Sequence, residues 1–205
     1  MHFGQGDFSH RIEIAPRNEL GKLVATFNSM ADKLEDIATR DGLTNLLNKK
    51  AIMQTLDSEL VRARRHNSTL SLMMLDLDYF KRINDTYGHQ AGDAVLVTTT
   101  GLIEKYVRGI DYVGRYGGEE IIIVLPDTSE TESVEIAERI RRSLASTPIV
   151  VSESEFVNVT VSIGISIFPR DGIEQDVLLN NADQAMYYAK DAGRNQVVRY
   201  RDVIQ

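Results

Sequence analysis

Two pairs of acidic residues sit at the ends of apolar runs, where a carboxylate needs a partner. The first is Asp76-Leu77-Asp78, closing the run from Leu70 to Leu77. Residues two apart in a strand share a face, so both carboxylates project the same way. The second is Glu119-Glu120, which follows Gly117-Gly118 directly. An acid beside an apolar strand is costly unless it is paired or bound to a cation, and hard divalent ions take oxygen donors of this kind. Two glycines next to the acids let the backbone come close to a phosphate. The chemistry this arrangement offers is metal-assisted handling of a phosphate group.

The elements that must position these acids can be read around them. Asp111 to Tyr116 alternates polar and apolar, and Ile121 to Leu125 is a continuous β-branched run. Between them, Gly117-Gly118 predicts a tight hairpin turn with positive φ at both glycines. Leu70 to Leu77 predicts a buried strand. Phe80-Lys81-Arg82-Ile83-Asn84-Asp85, then Tyr87-Gly88-His89-Gln90-Ala91-Gly92-Asp93, predicts a short helix, a glycine turn and a second helix from about Ala91 to Tyr106. Helix capping accounts for Asn84, Asp85 or Asp93 taken singly, and a backbone-bonded loop histidine accounts for His89. Together, an amide and a carboxylate bordering a small cavity are expected to suit guanine. Asp93 accepts from the ring N–H and exocyclic amine, Asn84 meets O6, and adenine offers the opposite pattern at that edge.

The remaining segments build a scaffold. A helix is expected from Asn45 to about Asn67, ending in the basic cluster Arg62, Arg64, Arg65 and His66, a solvated helix terminus with no ligand assigned. Ser129 to Ala145 carries Val134, Ala137, Ile140 and Leu144 at helical spacing. Val157 to Phe168 reads as one long strand with Gly164 at a bulge or close approach, Glu174 to Ala192 as the last long helix, and Gln196 to Tyr200 as a final strand. This alternation predicts an α+β fold with an antiparallel or mixed sheet. Near the N-terminus, Leu20, Leu23, Phe27, Met30, Leu34 and Ile37 alternate steps of three and four, the seam of a coiled-coil helix that pairs with its own copy or lies on the domain. The pattern breaks at Thr39 to Thr44, dividing the chain into residues 1–40 and 41–205.

Composition excludes several classes. The 205 residues contain no cysteine, which removes disulfides, zinc–thiolate sites and thiol nucleophiles. The net charge of −7 gives no electrostatic footprint for a nucleic-acid polymer. No apolar run reaches the ~18 residues of a membrane span, so the chain is expected to be soluble.

Taken in order, Asp76-Leu77-Asp78-Tyr79-Phe80-Lys81, Asn84, Gly88-His89, Gly92-Asp93, Gly117-Gly118-Glu119-Glu120, and Asp183-Gln184-Ala185-Met186-Tyr187 with Lys190 and Gly193-Arg194-Asn195 resemble the GGDEF diguanylate cyclases. The resemblance covers about Thr39 to Tyr200. Ile121 departs from the family's usual phenylalanine, a packing adjustment. Gly6-Asp7-Phe8-Ser9, Asn18-Glu19-Leu20-Gly21 and Phe27-Asn28-Ser29-Met30 are similar to the second half of a HAMP signalling module.

The resemblance implies a nucleotidyl-cyclase, palm-like and ferredoxin-related central sheet flanked by helices. It implies a homodimer condensing two GTP into cyclic di-GMP and two pyrophosphates, with Mg2+ or Mn2+, two per active half-site. Asp76, the carbonyl of Leu77, Glu119 and Glu120 are then the metal ligands, and Glu119 the catalytic proton acceptor. Phe80, Lys81, Asn84, His89, Asp93, Gly117, Gly118, Lys190 and Arg194 are the substrate contacts, with Lys190 and Arg194 four apart on one face of a helix end. Arg108 and Asp111, with Arg139, match a product-inhibition site, which guanine suits because an arginine fork takes O6 and N7 while aspartate accepts from N1 and N2. Without that context, Arg108 and Asp111 read as a surface ion pair. The HAMP likeness implies a cytoplasmic domain whose parent carries an upstream sensor in the bacterial inner membrane. Two other functions stay open: a non-catalytic cyclic di-GMP receptor signalling through the coiled coil, and a palm-type enzyme with a different nucleotide product.

Overall fold

A computed structural model of the protein describes residues 12, 19–152 and 155–203. The expectations placed on Gly6-Asp7-Phe8-Ser9 and Asn18 lie outside the described residues. The elements are α1 (Glu19–Thr39), α2 (Lys49–His66), β1 (Leu70–Leu77), α3 (Phe80–Tyr87), α4 (His89–Ile103), β2 (Tyr112–Arg115), β3 (Glu120–Pro126), α5 (Glu130–Ser146), β4 (Ile149–Val150), β5 (Phe156–Val157), β6 (Val161–Phe168), α6 (Gln175–Asp191), β7 (Val197–Arg199) and α7 (Tyr200–Val203).

The central sheet runs β2-β3-β1-β6-β7; β7 is parallel to β6 and the other neighbours are antiparallel. Both faces are covered, so every residue of β1 and β6 is buried, Ser71, Ser162 and Ser166 included. Met73, Leu75 and Leu77 pack with α3, α4 and α5 on one face, while Leu72 and Met74 pack with α2 and α6 on the other. Gly164 sits in unbroken register opposite Met74 and is not a bulge. A Cβ there would lie 2.1 Å from the carbonyl oxygen of Ala182 and 2.2 Å from the amide nitrogen of Met186. The glycine thus sets how closely α6 seats on the sheet.

Local chemistry fixes the helix ends. Asn48 accepts from the Ala51 amide to start α2, and Asn67 ends it in the left-handed conformation at φ 51. Ser129 and Glu132 form a reciprocal capping box on α5. The basic end of α2 is more engaged than expected, since Arg62 pairs with Glu59 and Asp127, and Arg64 with Glu174. Where one strand is expected from Val157 to Phe168, two occur: β1 ends at Leu77, opposite Val161, and gives β6 no ladder partner further back. β5 pairs instead with β4.

The six seam residues of α1 are all exposed, Ile37 at 76% and Leu23 at 64%. After α1, Leu47 bridges to Gly114 at the sheet edge, and its carbonyl accepts from the Arg115 amide at 2.8 Å. The chain between helix and domain is therefore bound to the strand that leads into the Gly-Gly turn. No helix among the described residues is long and apolar enough to cross a membrane.

Candidate active site

Asp76 and Glu120 meet on the α6 side of the sheet, while Glu119 borders Leu75, Leu77, Thr99 and Ile103 on the other. Asp76 lies opposite Glu120 across β1 and β3, and both share the face of Met74 that packs against α6. From α6, Lys190 places Nζ 2.6 Å from Asp76 Oδ2. Burial pushes the Asp76 carboxyl above the ordinary aspartate range. Lys190 pulls it back, and Asp78 and Asp183 add to the rise. Burial also raises Glu119 and Glu120, and in both cases the Asp76 charge raises them further. Asp183, two helical turns before Lys190 on the same face, borders one cavity with Glu120. Its place in the site was not read from sequence; its seven-residue spacing from Lys190 is the signal that could have given it.

Among the described residues, no group of three or more acidic or histidine side chains is already drawn into a metal cage. The donor set nonetheless suits a hard divalent cation. Asp76, Glu119 and Glu120 are oxygen donors that repel one another, and one ammonium, that of Lys190, already stands on Asp76.

The Gly-Gly turn differs from expectation. Neither Gly117 nor Gly118 has positive φ. The loop closes instead where the amides of Tyr116 and Gly117 both donate to the Glu120 carbonyl, at 2.8 and 3.3 Å. Arg115 then reaches round to donate to the carbonyls of Gly117 and Gly118 and pairs with Asp41 at 3.1 Å. Room is what the glycine supplies, because a Cβ on Gly117 would lie 2.3 Å from Glu120 Oε2. Burial alone would raise the Asp41 carboxyl, but bonds from Thr44 and Arg115 outweigh it and hold it below the ordinary range.

Asp78 separates from its neighbour in role. Its side chain is buried and accepts from Thr160 Oγ1 at 2.6 Å, Ser162 Oγ at 2.7 Å and the Asn195 amide at 3.0 Å. Those bonds occupy both oxygens, so of the two strand-end acids only Asp76 faces the cluster. Arg194 is also corrected: α6 ends at Asp191, and Arg194 lies beyond it at φ 65, so it does not share a helix face with Lys190. Gly193, at φ 117, turns the chain out of the helix. The Arg194 guanidinium stands 4.6 Å from the centre of the Tyr79 ring.

The residues expected to read guanine span α3 and α4, joined through Gly88 at φ 85. That turn starts α4 at His89, earlier than expected. Asn84 Oδ1 would stand 2.0 Å from a Cβ on Gly92, so the glycine leaves the Asn84 side chain its present position beside the exposed Asp93. Lys81 and His89 are exposed, while the side chain of Phe80 is buried against the core.

Away from this cluster, Arg108 and Asp111 close on one another. The Arg108 amide donates to Asp111 Oδ2 at 2.6 Å and its guanidinium to Oδ1 at 2.8 Å, also reaching Thr128 Oγ1 at 2.6 Å. Arg139 of α5 lies 5.9 Å from the Tyr106 ring centre, near the start of this turn.

Residues 38–196 match the family described as diguanylate cyclase, GGDEF domain, and residues 1–36 match the HAMP domain. The response regulator PleD of Caulobacter vibrioides is 41% identical over 172 residues, 83% of this chain and 38% of that protein. Diguanylate cyclase DosC of Escherichia coli is 36% identical over 88% of this chain and 39% of its own length. The chain thus spans less than two fifths of these relatives. The coiled coil and GGDEF domain of DgcB from Caulobacter crescentus, solved with c-di-GMP, superposes with a TM-score of 0.81 at 30% identity, covering 88% of this chain and 95% of that one. A match running from the end of α1 to the loop before β7 shows the family, and the chain belongs to the GGDEF diguanylate cyclase domains, with a HAMP segment ahead of it.

Proposed function

We propose that the chain joins two GTP molecules into cyclic di-GMP with release of two pyrophosphates, each of two facing catalytic domains in a homodimer holding one GTP. The observation that carries this reading is the convergence of Asp76, Glu120 and Lys190 on one face of the sheet, beside a turn whose two glycines carry no side chain. In each half-reaction the 3′-hydroxyl of one GTP attacks the α-phosphate of the other. One P–O bond forms and the bond to pyrophosphate breaks.

Glu119, lifted above the ordinary range by burial and the Asp76 charge, accepts the hydroxyl proton. Asn84 and Asp93 hold guanine and His89 the ribose, while Lys81, Lys190 and Arg194 take the phosphates, Lys190 exchanging Asp76 for them. Asp76, the Leu77 carbonyl, Glu119 and Glu120 would hold Mg2+ or Mn2+, two per half-site; bound there, these ions would acidify the 3′-hydroxyl and neutralise the leaving pyrophosphate.

Arg108 and Asp111, with Arg139, form the proposed inhibitory site for the product. Guanine would have to replace the bonds these two groups now make to each other. That a solved relative carries c-di-GMP supports product binding to this fold. The HAMP match supports a reading in which a longer parent carries a membrane-anchored sensor upstream, this domain lies in the cytoplasm, and a stalk dimer forms along α1.

The test is incubation with GTP and Mg2+ or Mn2+ at two protein concentrations, after stripping bound nucleotide, with products identified by mass. Cyclic di-GMP should form faster than in proportion to enzyme, and Glu119→Ala should lower the rate about a hundredfold or more. No product under either metal would leave the receptor reading in its place.

A further inference from the structure

Asn195 is gripped from two sides. From the turn just after β1, the buried Asp78 carboxylate accepts its amide at 3.0 Å while also tying Thr160 and Ser162. From α5, Arg141 donates to the Asn195 carbonyl at 3.2 Å and to its side-chain oxygen at 2.9 Å. Arg141 is itself steadied by Glu138 at 3.0 Å.

The gripped segment is one the backbone does not favour. Arg194 and Asn195 are both left-handed, at φ 65 and 46; asparagine takes that conformation readily, but an arginine seldom holds it unless its surroundings impose it. Arg194 meanwhile lies over the ring of Tyr79, the residue next to Asp78, and Tyr79 is itself left-handed at φ 58. One carboxylate therefore stands between the ring under the guanidinium and the backbone that carries it.

We propose that Asp78 and Arg141 are positioning residues: by clamping Asn195 they fix the strained Arg194-Asn195 backbone and so aim the Arg194 guanidinium at the substrate phosphates. The inference rests on the phosphate-binding role given to Arg194 above. It assigns the second acid of the Asp76-Leu77-Asp78 run to substrate alignment through another residue and not to metal. It also gives α5, which carries Arg139 beside the proposed inhibitory site, a direct bond to the substrate loop through Arg141.

The test is a set of binding measurements with 3′-deoxy-GTP and Mg2+, which cannot turn over, on folded protein checked by thermal melting. Arg194→Ala should weaken binding about tenfold, as expected for a bond to a charged group. Asp78→Asn and Arg141→Met should each weaken it several-fold, and neither should add to the loss when combined with Arg194→Ala, since a residue acting through Arg194 has nothing left to act on.

Wild-type affinity in Arg194→Ala would remove the phosphate role and the inference with it. A weakened Arg194→Ala alongside wild-type affinity in both clamp variants, or losses that add in the double variants, would overturn the clamp and leave that role standing. If Asp78→Asn does not fold, Arg141→Met and its combination with Arg194→Ala decide the matter, because Arg141 lies on a helix surface outside the core.

Discussion

Asp76 and Lys190 hold one another at 2.6 Å at the centre of an acidic cluster, so the lysine and a divalent cation compete for the same oxygen. Lys190→Met should therefore raise Mn2+ affinity several-fold in the absence of nucleotide while weakening GTP binding, measured by calorimetry; unchanged or weaker Mn2+ binding would contradict the competition. The raised carboxyls also carry a sign. A group that holds its proton more tightly when folded contributes stability present below the ordinary carboxylate range, which is lost as pH rises through its folded pKa. Asp76, Glu119 and Glu120 are all raised in this way. In chelator, the melting temperature of Asp76→Asn should gain on the wild type as pH rises from the carboxylate range to neutrality, and Mn2+ should close that gap. A gap that does not change with pH would show that Asp76 is not strained by its charge. At this scale the acids were legible because an acid beside apolar sequence is anomalous, whereas the division of labour between Asp76 and Asp78 was not. It depends on Asn195, far away in the chain.

The elements meet at glycines, and two of them do opposite work to a flexible turn. Gly164 lets α6 lie on β6 with backbone contact, bringing Asp183 and Lys190 over the acids. Gly164→Ala should lower stability by about 2–3 kcal/mol through overpacking and impair GTP binding by lifting α6, read by denaturant unfolding and nucleotide titration; a shift within error would mean α6 can adjust freely. Gly117 makes space for Glu120, not for a positive φ. Hairpin chemistry in the sequence was a sound guide to the turn's place but not to its conformation. Arg115 bonds the loop's carbonyls and is itself anchored by Asp41, distant in the chain, and no local pattern announces that pairing.

At the scale of the whole molecule, the exposed α1 seam leads through Asp41 and Leu47 to β2 and the turn. A narrow apolar stripe of this kind is matched by a second copy of itself. Leu23→Asp should shift the mass in solution from dimer toward monomer and lower specific activity at dilute protein, with activity recovering as concentration rises. Unchanged mass and activity would remove α1 from the dimer. The heptad spacing was legible because it is periodic.

By itself the sequence determined the order of the main helices and strands, the heptad seam and the family, because periodicity, glycine placement and the order of acidic motifs are local properties that survive without coordinates. Only the tertiary structure decided which acids face one another, that Asp78 is occupied by Thr160, Ser162 and Asn195, that Arg194 leaves the helix, and that Arg108 closes on Asp111. Each of these depends on contacts between distant segments or on a backbone conformation imposed from outside. Short-range spacing carries no information about either.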